Sequence, residues 1–474
     1  MRVNENNDTV SIAEFLKDSL NKESGHIYLR MAQGFKQAIN QGVVKAGFRL
    51  PAHRILADAL DVTPGTVSRA YRELAKMGLV VSRVGDGTYI NDEKSRQRLD
   101  DEFTNVPATY AHLVDLSRNL AIDFGTANLI SQAMDALQKD QSQLATLIGY
   151  TPDTGIDAYR QSGALWMNQC GVSVAVDEVV CTNGAQHALM CALMTLLKEG
   201  EALAAEFLSY PGMVSLAKRL RLRLVGIAMD EQGILPAALD AACNKQKIST
   251  LYCTPSFQNP TSVILSRERR EALVDVCNRH NIMIIEDGAG SALAPAQVPT
   301  LKNLAPERTV FISSLSKVIA AGIRVGYMAP PRSLLENVAK TLRATSWMPN
   351  PLAHGIASHW INSGILAAVA EQQKIEIQRR HMLVVPHLKS LEYNAHRHCG
   401  QLWVKVPAQW RTGELVLALK KQGVLVLPSS AFCVDKRAAP RYIRVCLTGA
   451  VDDASLVRAA QCIAATIQGA QEAS

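Results

Sequence analysis

Apolar residues recur at helical spacing through the first part of the chain. Between residues 27 and 41 they fall on one helical face, and two further helices are predicted over 51–60 and from 64 to about 77. Each of the latter two begins with a proline, which favours a first helical position. Residues 61–63 separate them as a turn. Two glycines are placed to end the first and third helices: Gly42 and Gly78.

A different pattern follows the third helix. Residues 79–84 are predicted to form a strand, Gly85–Gly87 a turn, and residues 88–90 the returning strand. Two helices joined by a tight turn and followed by a hairpin are typical of a winged helix-turn-helix. Residues 91–111 begin with a charged run that has no apolar stripe, so a linker is predicted there.

From about residue 115 onward, short apolar runs alternate with helix-like segments. Most of these runs are apolar on both faces, as buried parallel strands are. The pattern predicts an α/β body of roughly 350 residues. The strand candidates are Val179–Thr182, Thr250–Thr254, Ile282–Glu286 and Thr309–Ser313.

The charge distribution changes this picture for the first part only. The formal net charge is +7. The stretch from Lys45 to Arg83 holds seven basic and three acidic residues, and so carries +4 of that total. A small basic module ahead of a nearly neutral body indicates nucleic-acid binding by the module.

Other sequence features limit the environment of the chain. No apolar run approaches the ~18 residues needed to span a bilayer, and the polar N-terminus does not resemble a signal peptide. The ten cysteines show no Cys-x-x-Cys spacing, which favours reduced thiols. We therefore expect a cytoplasmic protein without a membrane partner. His396, His398 and Cys399 lack a nearby fourth ligand, and no metal is expected.

Four segments of the body carry candidate chemistry where predicted strands end. In Ser313–Lys317, followed by Arg324, a lysine shielded from water beside another cation loses its proton readily and attacks a carbonyl. The hydroxyls and the guanidinium of this segment suit a phosphate. Taken alone, however, a loop lysine is more often simply solvated.

The other three segments are equally ambiguous alone. Ile282–Gly288 closes an aliphatic run with two carboxylates, of which Asp287 would keep a pyridine nitrogen protonated; a helix cap is the alternative. Thr254–Thr261 holds Asn259 between two prolines, or is a plain turn. Thr182–Leu189 places small residues at a helix start, where anions bind, although any strand-to-helix turn looks similar.

Together, the order and spacing of these segments resemble the fold-type-I pyridoxal-phosphate enzymes, from about Asp115 to Gln468. The resemblance implies that Lys317 carries the cofactor, Asp287 pairs with its pyridine nitrogen and Asn259 bonds its ring hydroxyl. Arg444 would take a substrate carboxylate as a bidentate pair. The remaining implied contacts are stacking on the ring by Tyr210, a phosphate cradle of Gly184, Ala185, Gln186, Ser314 and Arg324, and contact with the phosphate of the neighbouring subunit by Tyr150.

The front module resembles the GntR-type winged helix in Gly47–Pro51, Thr66–Tyr71 and the wing from Gly85 to Tyr89. This module fused to an aminotransferase-like body resembles the MocR subfamily of bacterial transcription regulators. The predicted boundaries are 24–91 for the DNA-binding domain, 92–112 for the linker and 113–474 for the body. The residues expected at DNA are Thr66, Ser68 and Arg69 near base edges or phosphates, and Arg49, Arg54, Arg83, Gly87 and Thr88 on the backbone.

The resemblance implies a homodimeric regulator that binds double-stranded operator DNA and pyridoxal 5'-phosphate. It would sense an amine, an amino acid or the cofactor itself through aldimine chemistry. One alternative is an active aminotransferase that also binds DNA; another is a GntR regulator whose body no longer holds the cofactor. Three positions depart from the family pattern. Gly290 replaces a tyrosine that also bonds the ring hydroxyl, Phe257 replaces a common histidine, and Gly65 lies where a polar residue is frequent.

Overall fold

The computed structural model describes residues 12–17, 20, 26–40, 43–44, 48–77, 79–83, 87–90, 113–295, 298–435 and 439–469. The chain divides into two compact units, residues 1–109 and 110–474. Several predicted features lie outside the described residues: the helix ends at Gly42 and Gly78, the Gly85–Asp86 part of the wing turn, and the linker 92–112.

The first unit contains the predicted helices and hairpin. Its elements are α1 (Ile27–Asn40), α2 (His53–Leu60), α3 (Pro64–Lys76), β1 (Val80–Arg83) and β2 (Gly87–Ile90). The strands pair antiparallel. The chain before α2 joins this hairpin, because Leu50 N donates to Thr88 O at 2.7 Å and Ile90 N donates to Phe48 O at 2.8 Å.

A small apolar core holds this unit together. The buried faces of α1 and α3 supply Phe35, Tyr71 and Leu74, and the Tyr71 hydroxyl donates to Pro51 O at 2.9 Å. A helical stretch at 12–17 adds Ile12 and Leu16 to the same core. The packed module thus includes residues ahead of position 24, where sequence reasoning placed its start.

The body is built on a seven-stranded sheet in the order β4-β12-β11-β10-β9-β5-β6. The four neighbouring pairs from β11 to β6 are parallel, and β12 runs antiparallel to both of its neighbours. The strands are β4 (Val180–Thr182), β5 (Ala202–Glu206), β6 (Arg223–Ile227), β9 (Thr250–Cys253), β10 (Met283–Asp287), β11 (Thr309–Ser314) and β12 (Gly326–Ala329).

A four-stranded antiparallel sheet of order β13-β14-β17-β16 and two short pairs, β3 with β15 and β7 with β8, complete the strands described. Their bounds are β3 (Val114–Asp115), β7 (Met229–Asp230), β8 (Gly233–Ile234), β13 (Tyr393–Ala395), β14 (Gln401–Lys405), β15 (Val424–Leu425), β16 (Leu427–Pro428) and β17 (Tyr442–Cys446).

Helices cover the large sheet on both faces, as an apolar parallel sheet requires. The helices of the body are α4 (Thr126–Lys139), α5 (Gln141–Ala145), α6 (Asp157–Gln169), α7 (Ala185–Leu196), α8 (Pro211–Arg219), α9 (Pro236–Lys245), α10 (Arg267–Arg279), α11 (Leu301–Leu304), α12 (Leu335–Ser346), α13 (Pro351–Asn362), α14 (Ile365–Val384), α15 (Thr412–Lys421) and α16 (Asp453–Gly469). Separate apolar clusters lie on either side of the sheet, one including Tyr252 and Ile285 and the other including Cys253 and Ile284.

Candidate functional site

The carboxyl ends of the parallel strands bring the predicted site residues together. Asp287 is the last residue of β10, Lys317 follows β11 by three residues, and Asn259 lies in the segment after β9. Since β9, β10 and β11 are adjacent and parallel, these three segments meet at one edge of the sheet.

Lys317 is half-buried in the body. Its Nζ donates to the backbone carbonyl of Asn119 at 2.6 Å. Burial lowers the pKa of Lys317, and the positive charge of Arg444 lowers it further. Both effects favour the neutral amine, which is the nucleophilic form.

Asp287 is held from two sides. Its Oδ2 accepts a hydrogen bond from the Tyr252 hydroxyl at 2.7 Å, and its Oδ1 accepts one from Ala289 N at 3.0 Å. Burial raises the pKa of Asp287, while the Tyr252 bond and the Lys317 charge oppose that shift. The carboxyl therefore retains a proton more readily than a surface aspartate, which suits a group that shares a proton with a ring nitrogen.

Arg444 approaches the same edge from β17 of the small sheet. Its Nη1 donates to Asn259 Oδ1 at 2.8 Å, and its Nη2 donates to Ser117 O at 2.6 Å. The guanidinium also lies 4.7 Å above the Phe432 ring. Arg444 is buried and its Nε has no hydrogen-bond partner among the described residues. An anion is therefore the partner that would best complete this cation.

An anion cradle lies at the start of α7. Gly184 precedes the helix with φ +86°, and the first N–H groups of α7, on Ala185 and Gln186, have no intrahelical acceptor. The Arg324 guanidinium approaches so closely that a Cβ on Gly184 would lie 2.6 Å from its Nη2. A helix N-terminus with an adjacent arginine is a favourable place for a phosphate.

Three more residues of the implied set have defined local roles. Tyr210 precedes α8, and its ring leaves no room for a Cβ on Gly212, whose ideal position lies 2.5 Å from the ring. Gln186 Nε2 donates to Gly212 O at 3.1 Å, while Gln186 Oε1 is buried without a partner in the described residues. Ser314 Oγ accepts from Ser316 N at 3.1 Å and so orders the turn before Lys317.

Within one chain, Tyr150 lies apart from the other predicted site residues. It is 82% exposed, and its ring contacts Trp347, which is 56% exposed, at a centroid distance of 5.5 Å. The described part of one chain therefore leaves Tyr150 facing outward.

The departure at Gly290 leaves a narrow space. A Cβ there would lie 3.3 Å from Ser256 O and 3.6 Å from the Phe257 side chain. Phe257 is buried and its ring lies 5.1 Å from that of His396, which in turn lies 5.6 Å from His398. These histidines belong to an aromatic cluster beside the site.

The residues present fit pyridoxal phosphate. The cradle at Gly184 and Arg324 matches a phosphate, and Asp287 is a half-buried carboxyl that two hydrogen bonds hold in place. Lys317 is a half-buried lysine whose pKa is lowered. Lys317, Asp287 and the cradle would hold the cofactor, which supplies an electron sink for bonds at an amine carbon when bound.

The candidate DNA-contacting residues lie on and around α3. The helix is capped by Thr63, whose Oγ1 accepts from Thr66 N at 3.2 Å and lies 2.9 Å from the Thr66 hydroxyl. Ser68 is half-buried and Arg69 is exposed. The Thr66 hydroxyl thus contributes to the start of α3, while Arg69 reaches solvent.

The remaining predicted contacts surround the hairpin. Arg49 pairs with Tyr89 across the strand and lies against Gly87, whose φ is +127° and whose Cβ position is 2.9 Å from the Arg49 Nε. Arg54 on α2 is exposed. Arg83 pairs with Gly87 on the backbone, its side chain lying outside the described part, and Thr88 lies on β2.

Four residues near the site were not foreseen. Tyr252 bonds Asp287, Ser117 and Asn119 accept from the two cations, and Glu206 supports the Asn259 segment. Glu206 had a readable signal, because it closes an alanine-rich strand with a carboxylate just as Asp287 closes an aliphatic one. The other three had none.

Two family models match the chain. Residues 111–463 match aminotransferase class I and II, and residues 27–90 match the bacterial regulatory proteins of the gntR family. The chain therefore belongs to the aminotransferase class I and II family over its body and carries a GntR-type domain before it. This combination is the architecture of the MocR subfamily of GntR-type regulators. Among the described residues, no helix combines the length and apolar character that a membrane crossing needs.

Similar proteins cover most of the chain. The HTH-type transcriptional regulator YdeF of Bacillus subtilis is 27% identical over 430 residues, 90% of this chain and 92% of that protein. The HTH-type pyridoxine biosynthesis transcriptional regulator PdxR of Corynebacterium glutamicum is 26% identical, over 76% of this chain and 78% of that protein. A multiple substrate aminotransferase from Thermococcus profundus shares the fold, with a TM-score of 0.71, 20% identity and coverage of 81% and 96%.

Proposed function

We propose that the protein is a DNA-binding transcription regulator that holds pyridoxal 5'-phosphate at Lys317 and responds to an amine, an amino acid or the cofactor itself. The proposal rests mainly on one observation: half-buried Lys317 donates to Asn119 O and buried Arg444 donates to Ser117 O, so that an amine and a guanidinium meet at the same three-residue stretch. An amine nitrogen near one and a carboxylate at the other is the arrangement that an amino acid requires.

The finer assignments belong to the same proposal. Asp287 pairs with the ring nitrogen, Asn259 bonds the ring hydroxyl, Tyr210 stacks on the ring and Arg444 takes an effector carboxylate. The proposed phosphate ligands are Gly184, Ala185, Gln186, Ser314, Arg324 and, from a second copy of the chain, Tyr150. A homodimer would let outward-facing Tyr150 reach a neighbouring site, and two winged helices would then read two half-sites of an operator.

In the first unit, we propose that α3 lies in the major groove with Arg69 at base edges or phosphates, close to Thr66 and Ser68. Arg49, Arg54, Arg83, Gly87 and Thr88 position the module on the phosphate backbone. We keep 24–91, 92–112 and 113–474 as the proposed domain boundaries, with residues 12–17 packed onto the first domain.

Spectroscopy combined with DNA binding tests the proposal. The full chain loaded with cofactor should absorb visible light, and an effector should change that spectrum and operator affinity over the same concentration range, because one binding event drives both. Arg444→Ala should weaken the response to an effector with a carboxylate by roughly tenfold or more. DNA affinity that ignores cofactor and every amine that changes the spectrum would contradict the regulator.

The second candidate is an aminotransferase that also binds DNA. It is favoured by the retention of Lys317, Asp287 and Arg444 together. Against it, Gly290 offers no hydroxyl to the ring, so turnover should be inefficient. Keto-acid production from amino acids at enzyme-like rates would support this candidate over the regulator.

A further inference from the structure

Glu206 is a carboxylate at the end of β5 with no solvent exposure. Its Oε2 accepts three hydrogen bonds: from Thr254 N at 3.1 Å, from Thr254 Oγ1 at 2.8 Å and from Gln258 Nε2 at 3.2 Å. Its Oε1 has no partner among the described residues. Burial raises the pKa of Glu206 to about 7.

The three donors belong to the segment that presents Asn259. Gln258 Nε2 also donates to Leu208 O at 2.6 Å and to Asn259 O at 3.1 Å. Its Oε1 accepts from Thr261 N at 3.0 Å and from Thr261 Oγ1 at 2.7 Å. Glu206 and Gln258 therefore fasten the backbone on both sides of Asn259.

The side chain of Asn259 in turn orients Arg444. The bond from Arg444 Nη1 to Asn259 Oδ1, at 2.8 Å, joins the large sheet region to β17 of the small sheet. The other guanidinium bond goes to the backbone carbonyl of Ser117. Asn259 therefore helps to fix the plane of the guanidinium, together with Ser117 O and the Phe432 ring, and that plane decides how a carboxylate can bind as a bidentate pair.

Glu206 is a costly way to hold a loop. A buried carboxyl with one unpartnered oxygen and no ion pair in the described structure is destabilising relative to an apolar residue of similar size. Its three hydrogen bonds all come from the segment that presents Asn259. The advantage that offsets the lost stability therefore lies in the function of that segment.

We propose that Glu206 is the positioning residue of the Asn259–Arg444 pair, and that it makes the site selective for amines that carry a carboxylate. This inference rests on the proposed function of Arg444. Glu206 acts through Thr254 and Gln258, and it does not itself touch the ligand.

The competing explanation is that Glu206 only stabilises the fold. Loss of stability would weaken all ligands alike, whereas loss of guanidinium orientation would weaken carboxylates selectively. L-alanine and ethylamine separate the two explanations, because they differ only in the carboxylate.

The experiment titrates both compounds into the full-length, cofactor-loaded protein and follows the visible spectrum. For Glu206→Ala we expect the apparent dissociation constant of alanine to rise at least tenfold and that of ethylamine to change less than about twofold. Glu206→Gln keeps one side-chain oxygen, which can take the place of Oε2 as the acceptor, and should restore alanine binding to within about threefold of the original.

Two threonine variants keep the inference testable if Glu206→Ala misfolds. Thr254→Val removes one donor to Glu206 and should weaken alanine about threefold. Thr309→Val makes the same change at another buried threonine, whose hydroxyl bonds Leu301 O far along the sheet, and should leave the alanine-to-ethylamine ratio unchanged. If Glu206→Ala does not load cofactor, the alanine-to-ethylamine ratios of these two threonine variants test the inference instead.

A ligand-free measurement supplies a second readout. Because Arg444 lowers the pKa of Lys317, displacing Arg444 in Glu206→Ala should move the pH midpoint of the visible band upward. Glu206→Gln should not move it. Equal weakening of alanine and ethylamine, or an unchanged ratio together with an unchanged pH midpoint, would overturn the inference. An original protein that binds no cofactor would instead refute the proposed function.

Discussion

The two units place their functional cations in different surroundings. In the DNA-binding unit, Arg54 and Arg69 are exposed on a small apolar core. In the body, Arg444 is buried and Lys317 is half-buried, and the charge of Arg444 lowers the pKa of Lys317. One unit offers charge outward, and the other concentrates charge inward.

The difference follows from what each surface must recognise. A duplex presents a long array of phosphates, so accessible and screened charges suffice, and their contributions sum. A small ligand presents only a few groups. A site for it gains strength by removing water, since charges then act at a lower effective dielectric. Removing water from a charged group also lowers the stability of the fold. The body has this loss at Asp287 and Glu206, whereas the exposed arginines of the DNA-binding unit largely avoid it.

The largest test of this contrast is at Lys317. Lys317→Ala should abolish the covalent cofactor link and its visible band, because among the described residues no other lysine lies at this end of the parallel strands. The apoprotein should unfold at nearly the same temperature and bind DNA as the original apoprotein does. Absorption spectroscopy and thermal unfolding check both statements.

Lys302 is the matched control for that test. It is more deeply buried than Lys317, but its Nζ donates to the carbonyls of Pro306 and Pro330. Borohydride reduction followed by peptide mapping should tag Lys317 and leave Lys302 unlabelled. A tag on Lys302 would show that burial alone selects the lysine and would remove Lys317 from the site.

A smaller effect is expected from the pH dependence at Glu206. Its pKa is raised from 4.5 to about 7 by burial, so the protonated form is favoured in the fold. The stability gained from protonation is present below pH 4.5 and is lost as the pH rises to 7. The loss is about 3 kcal/mol, at about 1.4 kcal/mol per pKa unit.

Glu206→Gln cannot lose that proton, so its unfolding free energy should improve relative to the original protein between pH 4.5 and 7. Urea unfolding of the body at several pH values measures the difference. A difference that stays flat across this window would mean that Glu206 is not buried as a lone carboxyl.

The smallest effect is expected on the outward-facing side of the comparison. Arg69→Ala should weaken operator binding by about tenfold, lower the salt dependence by roughly one counterion, and leave the cofactor spectrum unchanged. Lys36→Ala removes the same charge from an exposed position on α1 and should weaken binding less than about threefold. Electrophoretic or fluorescence titrations at several salt concentrations distinguish the two. Equal effects of Arg69→Ala and Lys36→Ala would contradict the placement of α3 in the major groove.

Local patterns were sufficient to predict the helices and hairpin of the first unit and four strands of the body. The helices 27–41 and 64–77 and the four strand candidates match the structure within a residue or two, because the helices have a clear period and the strands are short apolar runs that end at polar residues. Asp287 was recognisable because it closes an apolar run, and Lys317 because it comes shortly after another. Such signals depend only on neighbours along the chain.

The unforeseen features depend on residues far apart in sequence. Ser117 and Arg444 are 327 residues apart, and Tyr252 and Asp287 are 35 apart. A backbone carbonyl such as that of Asn119 carries no residue type to read at all. The helical stretch at 12–17 was missed for a related reason, since its apolar face is complete only against α1 and α3.

The bonds to Ser117 and Asn119 have a consequence for how the chain is tethered. The two cations that the ligands would engage, Arg444 and Lys317, now donate to a three-residue stretch that follows the predicted linker by only a few residues. A ligand that accepts from these N–H groups competes with the carbonyls of Ser117 and Asn119 for them. We therefore expect each occupied site to loosen residues 117–119.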